Sequence, residues 1–273
     1  MDRRPTTIAE LRARIRDGRL SSAALRRLGR DPRAGARALA QRALRRLERD
    51  ATEARRLDQM LFFERRQWRR GVVHVAGVDE VGVGPLAGPV VAAAVMLPVD
   101  STIPGVDDSK RLTRPKREQL DGFIRRHAIA LAIGWCSPRE IDAFNILQAS
   151  RLAMQRAVAG LDPAPQHLLV DAREVPGVRM PQTALVHGDR RSQSIAAASI
   201  VAKVYRDALM AGMANDYPGY GFERHAGYGT RVHLAALRDL GPSPIHRLSF
   251  APVAEVARGA DRRHIRARPA WSS

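Results

Sequence analysis

Val78-Asp79-Glu80-Val81-Gly82-Val83-Gly84-Pro85-Leu86-Ala87-Gly88-Pro89-Val90 joins two apolar runs through a turn dense in glycine and proline. Val72 to Val78 reads as a buried strand, and Val90 to Leu97 as a second. The short Gly/Pro link predicts that these strands pair as neighbours. Asp79 and Glu80 follow the first strand. Strand ends are where functional groups gather in α/β sheets.

Working outward, residues 115–128 read as a helix, Ala130 to Trp135 as a strand, and Pro138 through Ala159 as one long helix. His167-Leu168-Leu169-Val170 is a strand ending at Asp171, and Thr183 to Val186 another, ending at His187-Gly188-Asp189. Helices are expected from Ser194 to Asp216 and near Thr230 to Leu240. Strands that cluster first and then alternate with helices predict an α/β fold with a mixed sheet.

Asp79, Glu80, Asp171 and Asp189 thus share one placement. Carboxylates brought together repel, and they either take up protons or recruit cations. Hard oxygen donors suit Mg²⁺ or Mn²⁺ rather than zinc. Two such ions can clamp the attacking and leaving oxygens of a phosphodiester displacement. Any one of these acids could equally be a turn former or a helix cap.

Composition narrows the class. The chain has 273 residues, 45% of them hydrophobic, which is enough to bury a core without staples. A single cysteine, Cys136, excludes an intramolecular disulfide. The longest apolar run, Val90 to Leu97, is too short to span a bilayer. No apolar segment follows Arg3 and Arg4, so a soluble, cytoplasmic protein without a signal peptide is expected. The net charge of +18 points to nucleic acid as partner. Only three basic residues are lysines (Lys110, Lys116 and Lys203), so the excess is almost all arginine. Residues 1–70 hold 21 Lys and Arg against 9 Asp and Glu and read as a basic helical N-terminal extension. Thr7 with Glu10 forms a capping-box pattern, and Asp31-Pro32 opens a second helix. The extension is either a helical appendage on the main domain, taken as 71–255, or an arm that adds duplex affinity. Residues 256–273 form a basic tail.

The opening stretch closely resembles a motif of the ribonuclease HII family. That family has a strand, an Asp-Glu pair, Gly-Arg-Gly, then Pro-Leu-Ala-Gly-Pro-Val. The resemblance continues in order through Asp108-Ser109-Lys110-Arg111-Leu112, Asn145-Ile146-Leu147-Gln148-Ala149, Val170-Asp171-Ala172 and Gly188-Asp189. It then runs through Ser194 to Val204, Tyr217 to Phe222, Gly227-Tyr228-Gly229-Thr230, Pro244-Ile245-His246-Arg247 and Ser249-Phe250-Ala251-Pro252.

The resemblance implies a ribonuclease H-like fold: a mixed five-stranded sheet flanked by helices, with a small helical C-terminal part. It implies hydrolysis of the RNA strand of RNA–DNA hybrids, and incision 5′ to a single ribonucleotide in duplex DNA. The implied metal ligands and catalytic residues are Asp79, Glu80, Asp171 and Asp189, with Mg²⁺ or Mn²⁺ as cofactor. Substrate binding would fall to Gly82, Val83 and Gly84, whose backbone approaches a 2′-hydroxyl, to Lys110 and Lys203 in the groove, and to Tyr228 against the sugar. His225, His233 and His246 read as hydrogen-bonded structural residues. A monomer with no membrane contact is expected.

Three positions depart from the family pattern. Val83 stands in place of arginine, and His187 and Ala226 in place of lysines. Each change removes or weakens a cation. The related ribonuclease HIII class also lacks the loop arginine and prefers runs of ribonucleotides. Two alternatives follow: the same chemistry restricted to longer runs, or a non-catalytic duplex-binding protein. The intact carboxylates argue against the second.

Overall fold

A computed structural model describes residues 7–259. The basic tail expected from residue 256 therefore lies largely outside the described residues. The chain divides into two compact units, residues 1–58 and 59–273.

In the first unit Thr7 caps α1 (Ile8–Arg16), and its N–H donates to the Glu10 carboxylate at 2.8 Å, completing the expected capping box. Ser21 caps α2 (Ser22–Leu28), a helix that the sequence reading passed over. Asp31 precedes α3 (Ala34–Met60).

The second unit runs α4 (Phe62–Trp68), β1 (Val75–Val81), β2 (Val90–Met96), α5 (Arg114–His127), β3 (Ala130–Cys136), α6 (Pro138–Phe144), α7 (Ile146–Ala159), β4 (His167–Asp171), β5 (Gln182–Leu185), α8 (Gln193–Asp216), α9 (Phe222–His225), α10 (Arg231–Leu240) and α11 (Ala251–Gly259). Its five-stranded sheet has the order β3-β2-β1-β4-β5. β2 is antiparallel to β1 and β3, whereas β1, β4 and β5 run parallel, so the sheet is mixed as expected.

Two local expectations need correction. The helix predicted from Pro138 to Ala159 is two helices, because Asn145 takes φ 65° and its side chain caps the Leu147 and Gln148 N–H groups. The asparagine side chain competes for backbone donors that would otherwise continue the helix. The first strand starts at Val75 rather than Val72 and runs to Val81, because Glu80 and Val81 still pair with Ala92 and Val91. Asp79 and Glu80 are therefore inside the strand, not beyond it.

Alternation along β1 decides which way each side chain points. Ala76 and Val78 face a core shared with Ala149, Ala153, Ala157 and Val158 of α7. Val75 faces the opposite layer with Leu169, Leu185 and Ile195, against which Phe63 and Trp68 of α4 pack. The small residues of α8 let it lie almost on the strand: a Cβ at Gly77 would stand 2.0 Å from the Ser194 carbonyl carbon. The C-terminal helices gather around Met210, Tyr220, Phe222 and Ile245, with Ala87 of the glycine-rich turn in the same cluster.

Candidate active site

Strand register brings the four acids towards one end of the sheet. Val78 of β1 pairs with Val170 of β4, so Asp79 and Asp171 follow side by side on parallel strands. Asp171 pairs with Leu185 at the end of β5, and the chain then enters the turn Gly188–Arg190 that holds Asp189. The Gly188 N–H donates to Asp171 Oδ1 at 2.7 Å and ties that turn to β4. The Asp79 carboxylate accepts from the Glu80 N–H at 2.8 Å.

Their electrostatics are those of crowded anions. Burial, and then the charges of Glu80 and Asp171, push the Asp79 carboxyl well above the ordinary range. Burial and then Asp171 raise Glu80. Asp189 is pushed up to about 6 by burial and by Asp108 and Asp171. The Lys110 charge pulls Glu80 and Asp189 the other way. Burial acts upward on Asp108 as well, but its hydrogen bonds from Arg190 and Lys110 hold it below its usual value. The Arg190–Asp108 ion pair, at 2.9 Å, locks the Asp108-Ser109-Lys110 loop to the Asp189 turn.

This donor set fits a hard divalent cation. Clustered carboxylate oxygens with raised proton affinity are what such a cation neutralises. Among the described residues no three His, Cys, Asp or Glu side chains form a closed cation cage. Consecutive residues of a strand point to opposite faces, so Asp79 and Glu80 splay apart. A Mg²⁺-like ion binds through one or two carboxylates, substrate phosphate and water, and needs no such cage.

Gly82, Val83 and Gly84 lead directly out of β1, with Val83 and Gly84 exposed. Gly82 has φ +87°, and a Cβ there would stand 2.2 Å from Arg206 Nε, so only glycine fits. Tyr228 is 40% exposed and lines a cavity of about 430 Å³ with Lys203, Arg114, Arg117 and Arg224. Lys203 Nζ is 5.8 Å from the Tyr228 ring centre and 2.7 Å from the Asp207 carboxylate. A second cavity, of about 440 Å³, opens beside Glu80 and Asp171, with Ile146, Leu147 and Met154 apolar and Arg151 and Arg173 charged.

Sequence reasoning missed three residues that build this site. Glu64 of α4 is buried and accepts from the Ser192 hydroxyl at 2.6 Å and the Ser194 N–H at 2.9 Å, at the start of α8. Its signal was hidden among the arginines of residues 1–70. Arg206 and Arg247 are buried under the glycine loop. Arg247 stood in a quoted motif, but nothing in its neighbours marked it as buried.

Acids in the carboxyl-terminal halves of the adjacent parallel strands β1 and β4 and in the turn after β5, on a mixed five-stranded sheet with helices on both faces, define a nuclease of the ribonuclease H class. Comparison with known proteins agrees. The ribonuclease HII family profile matches residues 76–253, and the ribonuclease HII N-terminal domain profile matches residues 7–68. Ribonuclease HII of Desulfitobacterium hafniense strain Y51 is 51% identical over 229 residues, covering 84% of this chain and 88% of that one. The ribonuclease H2 structure from Pyrococcus horikoshii OT3 superposes with a TM-score of 0.59 at 25% identity, over 68% of this chain and 97% of that chain. Bst-RNase HIII, solved in complex with Mn²⁺, superposes at 0.50 with 19% identity, over 70% and 71% of the two chains. The chain belongs to the ribonuclease HII family. It is a type 2 ribonuclease H, a metal-dependent phosphodiester hydrolase acting on RNA–DNA hybrids.

Proposed function

We propose that this enzyme, besides cutting RNA–DNA hybrids, incises duplex DNA 5′ to a single embedded ribonucleotide, leaving 3′-hydroxyl and 5′-phosphate ends. The observation that carries this reading is the juxtaposition of the four carboxylates with an exposed glycine loop leaving the same strand. Acids supply the chemistry, and close-approaching backbone supplies the means to read a 2′-hydroxyl.

Asp79, Glu80, Asp171 and Asp189 would hold the divalent cation, Mg²⁺ or Mn²⁺. When bound, it supplies activation of water and neutralisation of charge building on the phosphate. The protein's own share is positioning. Lys110 adds a cation beside the acids, and Arg190 fixes the loop that carries it. Tyr228 offers an aromatic face to a sugar, and Arg114, Arg117 and Lys203 line the groove beside it. No covalent nucleophile is needed. The Cys136 thiol is buried and pushed up to about 11 by burial, so it is inert. In this reading the enzyme works as a monomer in the cytoplasm; among the described residues no helix is long and apolar enough to cross a membrane.

A second reading draws on Val83, which gives the loop no cation: the same chemistry confined to longer ribonucleotide runs. To test the assignment of the acids, Asp79→Asn and Asp171→Asn are compared with wild type on a hybrid duplex. Retained binding with loss of cleavage supports it; wild-type cleavage in either variant overturns it.

A further inference from the structure

Among the described residues, Arg206 and Arg247 are the two largest side chains with no exposure to solvent. Among the described residues neither forms an ion pair with a carboxylate. Every hydrogen bond they make goes to a backbone carbonyl. Arg247 donates to Gly88 O at 2.9 Å, Val83 O at 3.0 Å and Gly82 O at 2.6 Å. Arg206 donates to Pro89 O at 2.9 Å, Ala87 O at 3.1 Å and Ala226 O at 2.9 Å. Two buried guanidinium ions thus hold one turn from within, and Arg206 also holds Ala226, two residues before Tyr228.

This grip fixes the direction of the loop's donors. In a trans peptide the C=O of one residue and the N–H of the next point opposite ways. Gly82 O and Val83 O point inward to Arg247, so the N–H groups of Val83 and Gly84 point outward. Neither N–H has an acceptor among the described residues. Adjacent outward N–H groups form a concavity that favours anions and hydroxyl oxygens. The two guanidinium charges sit behind it, in a medium that screens them far less than water does. They also polarise the peptides whose carbonyls they hold.

Gly84 adds an independent observation. A Cβ there would meet nothing within 4 Å, and its φ lies outside the left-handed region. Neither packing nor backbone demands glycine at this position. What its missing side chain leaves is open space in front of the two donors.

We propose that Arg247, seconded by Arg206, is a positioning residue that aims the Val83 and Gly84 N–H groups at one ribose and its phosphate. The inference rests on the proposed reading of the glycine loop as the ribose-sensing element.

The test measures binding without metal, in EDTA, to a DNA duplex carrying one ribonucleotide and to the same duplex entirely of DNA. Arg247→Lys keeps the charge but loses the fork that grips three carbonyls. It should lose roughly tenfold of the ribonucleotide preference, the worth of about one hydrogen bond of this kind. Its affinity for the all-DNA duplex should stay within about twofold, a split that mere loss of stability would not produce. A folded Arg247→Lys with wild-type preference overturns the proposal. Gly84→Ala separates the two levels. It should melt at or above the wild-type temperature, since its methyl group meets no protein atom. Loss of preference in Gly84→Ala but not in Arg247→Lys sinks only the arginine inference; wild-type preference in Gly84→Ala sinks the loop reading beneath it. Should Arg247→Lys fail to fold, amide NMR of the wild type decides. Downfield shifts of Val83 and Gly84 with the ribonucleotide duplex alone, beside slowly exchanging Arg247 guanidinium protons held on their carbonyls, support the proposal; unmoved amides or fast-exchanging guanidinium protons overturn it.

Discussion

The Nε2 atoms of His233 and His246 lie 3.0 Å apart in the interior, and only one of them can carry the proton. Their other nitrogens show which. His246 Nδ1 accepts from the Ser243 N–H at 2.9 Å, so its proton is on Nε2. His233 Nδ1 faces the Tyr228 carbonyl at 2.9 Å and must donate, which leaves its Nε2 as acceptor. Both rings are neutral, and the chain of bonds ends on the backbone carbonyl of Tyr228. The expectation that these histidines are structural thus gains a specific form.

Protonation of either ring breaks that chain, so pH reads it. Burial, and then His233, push His246 down to about 3 from an ordinary value of 6.5. Between these values the unfolded chain binds the extra proton and the folded chain does not. Stability is full above pH 6.5 and falls as pH drops towards 3, by up to about 1.4 kcal/mol per unit. His246→Phe should be less stable at pH 7.5 but lose less between pH 7 and 5, as read by urea denaturation. Equal slopes for wild type and variant would contradict the neutral pair.

Crowded acids without a counterion cost stability. Asp79→Asn keeps the Oδ1 acceptor for the Glu80 N–H while deleting one buried charge. In EDTA the variant should be more stable than wild type by about 1–2 kcal/mol, while cleavage is lost. Added Mg²⁺ should raise the wild-type Tm and raise that of the variant less. A variant that is less stable in EDTA would mean the acids are better compensated than their burial indicates.

Glu64 presents the opposite case, a buried carboxyl that is half used. One oxygen holds Ser192 and Ser194, the other has no partner, and burial raises its pKa. Glu64→Gln should be near neutral, because it keeps an acceptor and removes a buried charge. Glu64→Ala strips the start of α8 and should cost about 2–3 kcal/mol by chemical denaturation. Comparable losses in both variants would show that the negative charge itself is required.

These residues mark how far the sequence could be read. Apolar runs with turn residues between them were legible, and β2, β4 and α8 lie within a residue of their expected bounds. The four acids were legible as candidates, although Asp79 and Glu80 lie inside β1 rather than beyond it, and register sets Asp79 beside Asp171. The break at Asn145 was not legible, since a helical pattern continues through it on both sides. The burial of Glu64, Arg206 and Arg247 was not legible for a deeper reason. Charged residues are ordinarily read as surface, and burial with backbone partners far along the chain is a property of tertiary packing alone. Arg247 reaches Gly82 across 165 residues, a distance no local pattern spans.

The most direct measurement of the central claim is a cleavage map in Mg²⁺, with wild type and Asp79→Asn, on two labelled duplexes. One is DNA carrying a single ribonucleotide, and the other carries a run of them. The account predicts that wild type cuts 5′ to the single ribonucleotide and also cuts within the run, and that Asp79→Asn cuts neither. Wild-type cutting confined to the run would contradict single-ribonucleotide reading by the glycine loop, and cutting by Asp79→Asn would contradict the site itself.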